Sequence, residues 1–266
     1  MNVATDVTRA RVSRVPPPRR VHLWSWASEF AGTAILLFAA VTIARWLFAP
    51  DSALSRAVPD TQWRMVIVGV AIGAVLALLI VSPLGRRSGG HLNPAITIAF
   101  WGLGAFPRTD VLGYIAAQLA GSVVGTALAR PVWGPTVTRR PVSFGLIQPA
   151  AGVTRPEVFL AEAASVGLLV VVVAFLLASP RLARWTPWVV GATVGLIIAA
   201  TGVTTGGRFN PARALGPAVL SGNLDYLLCY LIAPMVGAVL VTTVRSRTGR
   251  PPALTCRLCG DLRPIA

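Results

Sequence analysis

Ser88-Gly89-Gly90-His91-Leu92-Asn93-Pro94-Ala95 and Thr205-Gly206-Gly207-Arg208-Phe209-Asn210-Pro211-Ala212-Arg213 are two versions of one arrangement: paired glycines, then Asn-Pro-Ala, then an apolar run of helix formers. The order reads as a loop entering a helix, with asparagine as N-cap and proline as the first helical residue, where its missing N–H costs nothing. A single copy would describe only a well-capped helix start. Two copies in one chain make it necessary to ask where these starts lie and what their free N–H groups face.

The apolar run behind the first motif, from Ala95 to near Phe106-Pro107, holds roughly a dozen helical residues and rises only about 18 Å, against about 30 Å of bilayer hydrocarbon. The run behind the second, Pro211 to Leu220, is equally short. Around them lie six longer apolar runs, predicted as spans at 24–49, 65–84, 111–129, 157–178, 188–203 and 226–244. Composition agrees: 266 residues with 55% hydrophobic and 12% charged residues and a mean hydropathy of +0.69 are too apolar for an ordinary soluble domain. The formal charge of +15 comes from 24 basic residues, all arginine, against nine acids. They lie mostly outside the apolar runs, so the expected partner is the lipid bilayer and not nucleic acid.

The halves repeat. Glu29-Phe30-Ala31-Gly32-Thr33 opens the first span and Glu162-Ala163-Ala164-Ser165-Val166 lies near the start of the fourth, each two spans ahead of a glycine and Asn-Pro-Ala stretch. Three spans per half force the second half to enter the membrane upside down. The predicted fold is therefore an all-α membrane protein of six transmembrane helices plus two re-entrant half-helices in an inverted 3+3 repeat. Its parts are a disordered basic cytoplasmic tail (1–22), a first repeat (23–130), an external connecting loop (131–156), a second repeat (157–245) and a second cytoplasmic tail (246–266). Residues 1–20 lack the apolar stretch of a signal peptide. Arginine placement puts both termini inside, although Arg139, Arg140 and Arg155 run against that count.

Half-helices dipping in from opposite sides can meet at mid-membrane, where two N-termini create a positive focus that disfavours cations and protons. Asn93 and Asn210 suit this place because the side-chain oxygen can cap the helix while the amide NH2 stays free to donate into a lumen. Glu29 and Glu162 are intramembrane carboxylates, expected to brace structure in preference to relaying protons. Gln118 is a weaker bracing candidate, His91 is either a lumen-lining donor or a loop-structuring residue, and Arg208 has no assigned place.

Both stretches, the closing Asn210-Pro211-Ala212-Arg213-Ala214-Leu215-Gly216-Pro217-Ala218 and the two glutamates resemble the aquaporin and glycerol-facilitator family, the major intrinsic proteins. The similarity covers roughly residues 24–245. It implies a right-handed bundle with one pore per protomer, a homotetramer in the cell membrane, and passage of water and small neutral solutes. By the same resemblance Pro94, Ala95, Pro211 and Ala212 belong to the pore motifs. Arg213 matches the arginine of an outer selectivity constriction, with Ile72, Ile198 and Gly207 at its other positions; Gly73 competes with Ile72. Glu29 and Glu162 match carboxylates that brace the re-entrant loops. Two isoleucines and a glycine in place of histidine and an aromatic leave a wider, less polar opening than in water-selective members, while Ala214 stands where glycerol facilitators carry aspartate.

No nucleophile, base and orienting group fall together, so an enzyme is not expected, nor a cofactor. Cys256 and Cys259 supply half the ligands of a zinc site, and no metal is expected. The rival to a passive channel is a secondary transporter with Glu29 or Glu162 as its coupling site.

Overall fold

In a computed structural model, which describes residues 22–247, the chain is helical throughout, with no strand among the described residues. The expectations for the tails at 1–21 and 248–266, and for Cys256 and Cys259, lie outside these residues. Helix α1 covers Leu23–Phe48, a short α2 covers Ala53–Ala57, α3 covers Thr61–Val81 and α4 covers Pro83–Ser88. The first half-helix is α5, Pro94–Gly102, followed by α6, Arg108–Trp133. Two 3-10 turns, Gly134–Thr138 and Ser143–Gly145, interrupt the connection to α7, Arg155–Leu177. Then come α8 (Pro180–Ala183), α9 (Thr186–Thr201), the second half-helix α10 (Pro211–Ser221) and α11 (Leu227–Arg247).

Five of these helices are long and apolar enough to span a bilayer; α9, at 16 residues, is shorter. The boundaries correct the sequence reading in four places. The 51–64 loop contains α2, and the next span starts early at Thr61 because Asp60 caps it, accepting from Trp63 N at 2.8 Å. That span stops at Val81, since Ser82 and Pro83 start a separate turn of helix that ends at Gly89 with φ 96°. The first half-helix stops at Gly102, short of Phe106. Finally, α6 runs through Pro131 and ends only before Gly134, at φ 70°. Pro131 has no N–H to give the carbonyl four residues back, so the helix forgoes one bond in its last turn.

Glycine decides how the spans cross. A Cβ on Gly69 would fall 2.3 Å from Gly195 O, and one on Gly73 would fall 2.3 Å from Gly191 O, so α3 and α9 touch backbone to backbone. Small residues four apart allow that approach, which in lipid supplies packing that the hydrophobic effect does not. The repeat shows in the next pair of crossings: Gly121 of α6 abuts the carbonyl of Phe30 on α1, and Gly237 of α11 abuts that of Ala163 on α7. Phe30 and Ala163 each follow the glutamate of their own half. The half-helices are exchanged in packing, α5 lying against α11 and α10 against α6. Large apolar side chains such as Val70, Leu112, Leu160, Leu196 and Leu228 point outward, the exposure expected of a lipid-facing surface.

Candidate functional site

The two loops enter their helices by the same local chemistry. Gly89 and Gly90 (φ 96° and 64°) and Gly206 and Gly207 (φ 90° and 51°) take left-handed turns that glycine adopts without Cβ strain. Leu92 (φ 49°) and Phe209 (φ 22°) then hold positive φ with side chains present, a conformation that costs on the order of 1–3 kcal/mol. Both stay there because neighbours fix their N–H and their C=O alike.

Glu29 Oε1 accepts from His91 N at 3.0 Å and Oε2 from Leu92 N at 2.7 Å. Glu162 does the same in the other half, Oε1 accepting from Arg208 N at 3.3 Å and Oε2 from Phe209 N. Glu29 also accepts from Gln118 Nε2 at 2.6 Å, and Glu162 from Thr205 Oγ1 at 3.4 Å. Both carboxylates are buried, and charge-assisted bonds of this kind, each about 1.5–3 kcal/mol, offset the desolvation of a buried charge. Gln118 thus touches the brace, and through its 3.1 Å bond to Thr97 Oγ1 the half-helix, and not the loop itself.

Asn93 Oδ1 caps α5 by accepting from Ala95 N at 2.9 Å; Asn210 Oδ1 caps α10 by accepting from Ala212 N at 2.9 Å and Arg213 N at 3.3 Å. The amide groups depart from the expectation that they are free. Asn93 Nδ2 donates to Phe209 O at 3.2 Å, and Asn210 Nδ2 to Leu92 O at 2.9 Å. Each asparagine therefore ties down the other loop's strained residue and keeps one N–H for a lumen. Pro94, Ala95, Pro211 and Ala212 form the buried first turns.

A cavity of about 100 Å3 passes these groups. It is walled by Val68, Leu76, Ile80, Val194 and other apolar side chains, and on its polar side by His91, Asn93, Arg208, Asn210 and Arg213. Ile72, Ile198, Gly207 and Arg213 all line it, whereas Gly73 is spent against Gly191. A second cavity of about 270 Å3 lies beside the first and shares Ala40, Val68, Ile72, Ile147 and Arg213 with it as wall residues. Arg213 Nη2 donates to Gly145 O at 3.0 Å, leaving Nη1 without a partner among the described residues.

His91 both lines the cavity and structures its loop, stacked on Phe100 at 4.6 Å and meeting Thr97 Oγ1 at 3.2 Å. Sequence reasoning missed Tyr114 and Tyr230, whose hydroxyls donate to Ser88 O (2.7 Å) and Thr205 O (2.5 Å), each five residues before its asparagine. Two buried tyrosines among only three in the chain were the available signal. It also missed Ser122, which donates to Ala212 O and accepts from Gly216 N at 2.9 Å, and Ile147, which no motif marks.

Residues 19–244 match the family described as Major intrinsic protein. Aquaporin NIP6-1 of Arabidopsis thaliana is 35% identical over 85% of this chain and 69% of its own length. Aquaporin AqpM of Methanothermobacter thermautotrophicus is 35% identical over 80% of this chain and 92% of its own. The X-ray structure of the aquaglyceroporin from Plasmodium falciparum shares the fold, with a TM-score of 0.68 at 23% identity, covering 86% of this chain and 97% of the other.

Proposed function

This chain belongs to the major intrinsic protein family, a family of membrane channels and not of enzymes, and we propose that it is a passive channel for water and small neutral solutes that excludes protons and ions. The observation that carries the proposal is the pair of asparagines at adjoining helix N-termini, each with one N–H held across the junction and one left over. A water or hydroxyl oxygen passing there is an acceptor to both. Its own hydrogens then point away from the centre, which breaks a hydrogen-bonded proton relay, while the two helix ends and Arg213 repel cations.

Ile72, Ile198 and Gly207 beside Arg213 give the outer constriction an apolar, open side, which favours solutes such as glycerol or urea in addition to water. Glu29 and Glu162 brace; their oxygens are already engaged by three donors each, an arrangement suited to a fixed charge and not to one that loads and releases a proton. We also propose a homotetramer in the plasma membrane with cytoplasmic termini, which positive-inside counting supports.

Swelling of proteoliposomes in water, glycerol and urea gradients tests the proposal. Expected are rates that rise linearly with gradient and ignore an imposed proton gradient. Saturable, proton-driven uptake would overturn it in favour of a secondary transporter.

A further inference from the structure

His91 and Arg208 stand at the same position of the two loops, two residues before the asparagine, and each packs on the tyrosine that anchors its loop. They then diverge. His91 keeps to its own half, among Phe100, Phe106, Tyr114 and Thr97. Arg208, 3% exposed, lies with its guanidinium 4.2 Å from the Tyr230 ring centre and sends Nη2 out of its own half to Ile147 O in the 134–154 connection. Its Nε and Nη1 have no partner among the described residues, so this one carbonyl is the hydrogen-bonding use the side chain makes of its charge. Two residues away, Gly145 O receives Arg213. The connecting segment is therefore pinned at two carbonyls by two cations, and Ile147, at the further pin, lines both cavities, as Arg213 does.

We propose that Ile147 is a fifth member of the outer constriction, setting the size of solute admitted, and that Arg208 is the positioning residue that holds it there. The proposal rests on the channel reading. A guanidinium suits this task because it is planar: one face covers the Tyr230 ring while an in-plane N–H reaches the carbonyl, a combination that an ammonium cannot reproduce. The four motif-derived constriction residues come from α3, α9, the second loop and α10; Ile147 adds a side chain from the 134–154 connection to the wall of the first cavity.

The test uses the full chain in vesicles of phosphatidylcholine and phosphatidylglycerol, with light-scattering rates for water, glycerol and a four-carbon polyol. Ile147→Ala is expected to raise the polyol-to-water ratio several-fold and Ile147→Phe to lower the glycerol-to-water ratio several-fold. Arg208→Met, which keeps the aliphatic stem, is expected to raise the polyol ratio as Ile147→Ala does, Arg208→Lys to leave it raised, and the double variant Arg208→Met with Ile147→Ala to go no further than the larger single change. Unchanged ratios in both Ile147 variants, additive effects in the double variant, or a normal ratio restored by lysine would each overturn the proposal. If Arg208→Met does not yield folded protein, the two Ile147 variants decide alone. Wild-type vesicles no more permeable than empty ones would instead bring down the channel reading itself.

Discussion

The two Asn-Pro-Ala loops are alike in everything that holds them up and different in what they present. Each has a carboxylate on two successive amides, a tyrosine on the carbonyl five residues before the asparagine, and an amide from the opposite loop on its strained residue. Yet position −2 is His91 in one and Arg208 in the other, and position +3 is Ile96 in one and Arg213 in the other. The halves thus share their scaffold and differ in the side chains they present to the cavity. Both guanidinium groups fall in the second half, Arg208 on the loop and Arg213 in the first turn of α10, and both reach the same connecting segment, while the first loop offers a stacked imidazole and an apolar side chain.

The strongest way to break the scaffold symmetry is to remove one brace. Glu29→Ala leaves the N–H groups of His91 and Leu92 and one donor of Gln118 without their acceptor in a buried site, a loss of about 3–5 kcal/mol by analogy with broken buried pairs. Thermal unfolding in detergent should show a large drop, and a similar drop for Glu162→Ala; a tolerated loss in either half would mean that the halves are not equivalent.

Next comes Arg213, at position +3 of the second motif. Arg213→Ala should admit larger solutes and leak protons, measured as polyol flux and as pH equilibration of dye-loaded vesicles, and an unaltered profile would remove Arg213 from its assigned place. Asn210→Asp should weaken cation exclusion, and it should also destabilise, because it sets a carboxylate against Leu92 O in place of a donor; unchanged ion conductance would contradict this. Ile198→His, which sets a longer, polar ring into the apolar wall of the cavity, should reduce glycerol flux several-fold with a smaller effect on water. The mildest pair is Tyr114→Phe and Tyr230→Phe. Each deletes one buried hydrogen bond, about 1 kcal/mol, and Tyr230→Phe keeps a ring under Arg208. Comparable small shifts in unfolding temperature are expected from both.

Much of this was legible in the chain. Glycine pairs ahead of Asn-Pro-Ala, half-length apolar runs and a glutamate two spans earlier in each half carried the re-entrant fold, because local capping, span length and the cost of a buried carboxylate are all readable one residue at a time. The expectation that fared least well concerned the asparagine amides, whose cross-bonding needs the two loops side by side. Counting along the chain preferred Ile72 and left Gly73 as its competitor; in the structure Gly73 packs on Gly191 of α9 and Ile72 lines the cavity, a packing that counting along the chain could not show.

By itself, the sequence determined the membrane environment, the doubled motif, the capped helix starts and the two carboxylates inside the spans. Only the tertiary structure decided which carbonyls the buried donors would find: Ile147 for Arg208, Gly145 for Arg213, Leu92 and Phe209 for the asparagines. The physical reason is range. Capping and hydropathy act within a turn or a span, whereas a carbonyl 61 or 118 residues away in sequence becomes a partner only after glycine-lined helices have closed to backbone contact and brought it within hydrogen-bond reach.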